Sequence, residues 1–184
     1  MPVANCNVCR YHQVMLDIYT LGDDVLREEC KDITEFGDAI RMLADAMIDT
    51  LDEADGVGLA GPQVGVSQNI FVVHIRGEKP LVFINPVITE TSIETGVYEE
   101  GCLSIPGVYH DVTRPMAVTI QAQDVNGKHF TIKADGLLAR VIQHENDHLH
   151  GVLYIDHLSE SDRKAVIRSY ERKNKARLKA KKRV

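Results

Sequence analysis

The sequence predicts an α+β protein, on three observations. Residues 38–55 carry apolar side chains at helical steps, short β-branched runs follow, and the elements come in the order helix, strands, hairpin, helix, helix. That order lacks the regular strand–helix alternation of a parallel sheet. In "DAIRMLADAMIDTLDEAD", Ile40, Leu43, Ala44, Met47, Ile48 and Leu51 recur every three or four residues, so one face of a helix is apolar, and Gly56 ends it. The Gly-rich stretch 56–65, "GVGLAGPQVG", predicts no regular element. "NIFVVHIR" (69–76) and "PLVFINPVI" (80–88) are strands bounded by Gly or Pro. Residues 91–115 are interrupted by Gly and Pro and predict only short extended pieces. Residues 117–134 are two alternating runs around Asn126-Gly127, a hairpin signal. A helix is expected from about Gly136 to His150, closed by Gly151. A last helix begins near Ser159, with Ser159 and Asp162 spaced for a cap.

Composition narrows the class. The chain has 184 residues, 44% hydrophobic and 26% charged, enough for one domain with a core. No apolar run approaches the roughly 20 residues of a membrane span, and "MPVANCNVCRYHQ" lacks the apolar stretch of a secretory signal. A cytoplasmic protein without membrane contact is therefore expected. Four cysteines, Cys6, Cys9, Cys30 and Cys102, suit a reducing compartment. Cys6 and Cys9 form a CxxC without a second pair nearby. Met15 reads as a plausible start, so residues 1–14 are expected to be a leader or extension, 15–160 a catalytic domain and 161–184 a basic helix or tail. The stretch 172–184 holds eight basic residues and no acid; taken from a net charge of −6, this +8 leaves −14 on the rest. Such asymmetry suggests an anionic partner for the tail, or only a solvated helix end.

"QHENDHLHG" (143–151) carries the chemistry. On a helix His144 and His148 project roughly 40° apart and can grip one metal ion, while Glu145 lies about 100° around, beside it. That is the arrangement of a carboxylate handling protons at a metal-bound water. His150 is about 200° from His148 and stands apart, and Asp147 faces away from a ligand position. His12, His74, His110, His129 and His157 read as ordinary polar histidines. A catalytic centre needs a third ligand and an open position. An extended HExxHxxGxxH pattern fails because Tyr154 replaces its last His; Glu160 and Glu171 remain conceivable. Cys102, in the loop "EEGCLSIPG", is the better candidate, since a thiolate is a strong ligand. Packing as a small buried hydrophobe is its alternative role.

Three segments, "GVGLAGPQVG", "EGCLS" and "QHENDH", resemble in order and spacing the signature segments of the peptide deformylases, and "LDIYTLGDDVLREEC" resembles their usual start. One departure is Gly61, where the pattern has a second alanine. The resemblance spans roughly residues 15–160. It implies removal of the formyl group from the N-terminal formyl-methionine of nascent polypeptides by metal-bound hydroxide. It implies Cys102, His144 and His148 as ligands, Glu145 as general acid/base, and Gln63 with the Leu103 N–H at the oxyanion. It further implies a substrate pocket near the metal, for which Val57, Gly58, Gly101 and Val141 are the candidates, and a brace between Glu100 and Arg114. Iron(II) is the implied ion, with zinc or nickel as substitutes in purified protein; the ligand set alone suits any of these. The ribosome, through rRNA or a ribosomal protein, is the implied partner of residues 172–184. Two rivals stand beside this reading: a zinc endopeptidase, and a non-catalytic ribosome-binding module. The roles of Tyr109 and His110 are open at this level.

Overall fold

The computed structural model describes residues 14–181. The expectations placed on residues 1–13, the CxxC among them, and on the last three residues lie outside the described part. The fold is α+β, with antiparallel sheets. Helix α1 spans Asp38–Glu53, and the strands are β1 (Gly58–Ala60), β2 (Ile70–Val73), β3 (Leu81–Thr91), β4 (Thr95–Gly101), β5 (Tyr109–Pro115), β6 (Ala117–Gln123) and β7 (His129–Asp135). Helices α2 (Gly136–Leu149), α3 (Glu160–Lys173) and α4 (Lys175–Lys181) follow. Among the described residues the strands form a five-stranded sheet, β1-β2-β3-β6-β7, and a separate β4-β5 pair, all antiparallel.

Strand β2 shows how the sheet is covered. Its side chains alternate, as a strand dictates: Ile70 and Val72 enter a cluster with Met47 and Leu51 of α1, whereas Phe71 and Val73 enter a cluster with Ala139, Val141 and Ile142 of α2. The apolar stripe of α1 and that of α2 thus cover opposite faces, and β2 is buried throughout. Phe71 and Phe83 stack at 4.7 Å between ring centres beneath α2. A third cluster joins Ile105 and Val108, which follow β4, to Tyr154, Val166 and Tyr170, so α3 packs against the Cys102 loop. Cys30 is buried, and burial raises its thiol pKa to about 11.

Two sequence expectations are corrected. Residues 56–65 do contain regular structure: β1 and a 3-10 turn, Gly61–Val64, ended by Gly65 with φ +81°. Within residues 91–115, Thr91 ends β3 and residues 95–115 form one hairpin with unbroken register from Thr95↔Pro115 to Gly101↔Tyr109. Exposed side chains at Val97, Tyr98 and Tyr109 hide the usual inward–outward alternation. Helices α1 and α2 and the β6–β7 hairpin fall where periodicity put them; β3 runs on to Thr91, and the last helix is interrupted at Asn174. Ser159 Oγ accepts from Asp162 N at 3.2 Å and caps α3.

Asn85 sits in β3 with φ +49°, at a register shift against β6. Its side chain accepts from Ile33 N at 2.8 Å and donates to Ile33 O at 2.8 Å, tying the entry of α1 to the sheet. Asn85→Ala leaves these groups unpaired, and a loss of about 1–3 kcal/mol is expected. Urea unfolding of the full chain checks it; an unchanged midpoint contradicts the tie.

Candidate metal centre

The site lies where α2 crosses the end of β4. Arg140, His144 and His148 recur every four residues and so share one face of α2. That face meets Glu100 and Cys102, at the end of β4 and just beyond it. Sγ of Cys102 lies 3.3 Å from Nε2 of His148. Among the described residues, Cys102, His144 and His148 form the one cluster able to hold a metal ion, their donor atoms all within 4.8 Å of one another. Nδ1–H of His144 donates to Glu100 Oε2 at 3.0 Å, which leaves Nε2 as its donor toward the site. Two imidazoles and a thiolate make a borderline-soft ligand set that fits zinc, iron(II), cobalt or nickel. Glu160 and Glu171 play no part: both are exposed on α3, and Glu160 pairs with Lys164.

Electrostatics follow from burial. His148 is buried, which holds its pKa well below the ordinary value, and the charges of His144 and Arg114 add to this; the neutral form offers a lone pair. Burial also lowers His144, but hydrogen bonds to Cys102 and Glu100 outweigh it and raise the group well above its usual range. Burial raises Glu100, yet hydrogen bonds from His144 and Arg114 keep it far below the carboxylate range. Arg114 grips Glu100 through Nε at 2.7 Å and Nη2 at 3.0 Å, and through Nη1 reaches Asp147 at 2.7 Å. Asp147 also accepts from His157 at 2.7 Å, so it belongs to this network and not to the ligand set.

Glu145 is buried, and burial lifts its pKa to about 7. Its Oε2 is buried without a hydrogen-bond partner. A carboxylate kept this way is poised near neutrality to exchange a proton. Gln63 stands opposite. Its Oε1 accepts from Ala60 N at 2.8 Å, which turns the amide NH₂ toward Cys102 Sγ (3.4 Å) and Ser104 Oγ (3.2 Å). A cavity of about 400 Å³ opens beside these groups, and Val57, Gly58, Gly101, Leu103, Val141 and Tyr109 all border it.

Two of the glycines bordering the cavity are held to glycine by close contacts. A Cβ on Gly58 collides with the Glu145 carboxylate, and one on Gly101 with the Tyr109 ring. Both make room for neighbouring side chains of the protein itself. Arg140, which reaches Glu100 at 2.7 Å, is absent from the sequence-derived site; its four-residue spacing from His144 puts it on the same helix face, but that spacing alone does not distinguish it from a solvated charge.

Fold and site together define a metal-dependent hydrolase: three convergent donors, a buried carboxylate beside them and a cavity. Comparison with known proteins gives the family. The polypeptide deformylase family matches residues 15–164. The chain is 52% identical over 151 residues to the peptide deformylase of Borreliella burgdorferi, covering 82% of this chain and 92% of that one. It is 45% identical over 161 residues to that of Rhizobium meliloti, covering 85% and 92%. A peptide deformylase structure from Legionella pneumophila superposes with a TM-score of 0.85 at 38% identity, covering 89% and 98%. One from Synechococcus elongatus in complex with actinonin gives 0.82 at 41%, covering 89% and 90%. The chain belongs to the polypeptide deformylase family, and with it to the enzymes that remove the formyl group from nascent peptides. The endopeptidase and binding-module readings are not favoured.

Gly58→Ala is expected to push the Glu145 carboxylate aside while leaving the three donors in place. Turnover should fall by roughly 10²–10⁴, the range general acid–base catalysis contributes, at unchanged metal content per chain. Paired rate and metal analyses check this; loss of the metal instead places Gly58 in the support of the ligands.

Proposed function

We propose that this chain deformylates N-formyl-methionyl nascent peptides with Cys102, His144 and His148 as the ligands of one divalent ion. Glu145 is the general acid/base, and Gln63 and the Leu103 N–H are the oxyanion donors. The observation that carries the assignment is the convergence of the three donors beside a buried, unpartnered carboxylate oxygen. A divalent ion held there supplies Lewis-acid polarisation and acidifies a water. Glu145 takes the proton of the attacking water and returns it to the departing amine. The Gln63 amide, its oxygen already anchored by Ala60, turns its NH₂ to the negative charge that develops on the formyl oxygen. Val57 and Val141 wall the methionine side chain, with Gly58 and Gly101 at the cleft edges, where a peptide adds as a strand. Tyr109 borders the cavity beside Gly101.

The working ion is iron(II), with zinc or nickel as substitutes in purified protein. An iron–thiolate centre exposes Cys102 to oxidation. Formate release from formyl-Met-Ala-Ser by anaerobic, iron(II)-loaded protein is the decisive assay. Glu145→Ala is expected to lose at least about 10² in rate, and Cys102→Ser to lose activity together with its iron. No formate from folded, iron-replete protein overturns the reading.

Residues 15–160 form the catalytic unit in this reading, and 161–184 are a basic C-terminal helix or tail that meets the ribosome in the cytoplasm, on rRNA or a ribosomal protein. No helix of the described residues is long and apolar enough to cross a membrane. The junction of α3 and α4 also touches the catalytic loop: Lys173 Nζ donates to Gly107 O at 2.6 Å and Asn174 Nδ2 to Pro106 O at 3.2 Å. Deleting 172–184 therefore disturbs two things at once. Reversing Arg172, Lys175 and Lys179, all exposed, to glutamate is the cleaner test. Co-sedimentation with ribosomes should weaken and lose its salt dependence, with formate release from the short peptide unchanged. Equal co-sedimentation of variant and wild type contradicts the tail assignment.

A further inference from the structure

We infer that Arg140 is a positioning residue of the metal centre, the clasp that sets the spacing between the strand carrying Cys102 and the helix carrying His144 and His148. The inference rests on the Cys–His–His reading of the site.

The guanidinium leaves α2 one turn before His144 and ends on three acceptors of the β4–β5 hairpin. Nη1 donates to Glu100 Oε1 at 2.7 Å and to Val112 O at 3.0 Å, and Nη2 donates to Gly96 O at 2.8 Å. Gly96 and Glu100 lie on β4 and Val112 on β5, so one side chain pins both strands. Its carbon lies 5.6 Å from the centre of the Tyr98 ring, and Tyr98 is the register partner of Val112. The guanidinium therefore sits over the same rung that it bonds. The side chain is largely buried, 13% exposed.

Glu100 shows why this bears on the metal. A carboxylate has about four lone-pair sites. Arg114 occupies one on each oxygen, Arg140 a second on Oε1 and His144 Nδ1 a second on Oε2. Arg114 comes from β5, within the same hairpin as Glu100. The two remaining donors both come from α2, at positions 140 and 144, and draw the helix onto the strand. Cys102 follows Glu100 by two residues. Loss of the Arg140 contacts leaves His144, itself a ligand, as the Glu100 tie from α2, and frees Gly96 O and Val112 O from the helix. The hairpin then holds α2 only through β5, by Arg114 on Asp147 at 2.7 Å and by Gln143 Nε2 on Pro115 O at 3.0 Å, and through His144 itself, so the strand that leads into Cys102 is set less tightly against His148. Arg is needed for this because its planar fork serves several acceptors at once, whereas a lysine ammonium is a single point.

The test uses full-length protein stripped of metal and titrated with Co²⁺ against a chromophoric chelator, comparing wild type, Arg140→Met and Arg140→Lys. Thiolate-to-cobalt absorption reports the Cys102 bond. Arg140→Met is expected to bind Co²⁺ roughly 10–100-fold more weakly, the usual effect of removing a partner behind a ligand, with a shifted or weakened thiolate band. Arg140→Lys should fall between it and wild type. Wild-type affinity and band in folded Arg140→Met overturn the inference, even if its melting temperature falls. Should Arg140→Met not fold, Arg140→Lys decides, and an unaltered band and affinity there also overturn it. Absence of the thiolate band in wild type instead sinks the metal-centre reading, and this inference with it.

Discussion

The site hangs on one buried carboxylate. Glu100 is 5% exposed, and it faces two arginines and the imidazole of His144. An isolated carboxylate at that depth is costly, and only a full set of charged partners makes it tolerable. Those partners come from β5 and α2, so the need to satisfy Glu100 forces hairpin and helix together at one point. Cys102 and the two histidines meet because they flank that point in sequence. The network runs outward through Arg114 and Asp147 to His157, which fixes the outer side of α2 as well.

Around this charged knot the chain supplies rigidity from apolar packing. Opposite faces of β2 bury against α1 and α2, so the helix with the histidines cannot shift without opening the sheet cluster. Gln63 is held just as firmly: Ala60 N fixes its side-chain oxygen, and its own backbone carbonyl accepts from Tyr19 N at 2.8 Å. Ser104 O, next to the Cys102 loop, accepts from Leu21 N at 2.8 Å. The N-terminal segment thus staples the Gln63 turn and the Cys102 loop side by side. Preorganised donors of this kind favour stabilisation of a developing oxyanion, since they need not reorient during the reaction.

Much of this is legible in the sequence where a single period or motif governs the local structure. The apolar stripe of α1, the Asn126-Gly127 hairpin and the HExxH helix announce themselves because local chemistry and tertiary packing agree. Strand β1 does not: Gly56, Gly58 and Gly61 depress strand propensity, and the strand exists because Gly58, Leu59 and Ala60 pair with Val73, Val72 and Phe71. The β4–β5 hairpin is hidden for another reason. It lies outside the main sheet, and Val97, Tyr98 and Tyr109 point to solvent. In the site, Cys102, His144 and His148 are recognisable as ligand types at ligand spacing. Arg140 is not, since an arginine in a helix reads as a solvated charge until its three acceptors are seen. The space beside Gly58 is likewise visible only once Glu145 is in place.

In the proposed centre the thiolate of Cys102 joins His144 and His148 on one ion. X-ray absorption on zinc-loaded full-length protein tests it most directly, because it counts sulfur and nitrogen neighbours independently of turnover. One sulfur at about 2.3 Å and two imidazole nitrogens at about 2.0–2.1 Å are predicted, with the sulfur missing in Cys102→Ser. A wild-type shell of nitrogen and oxygen alone contradicts the claim.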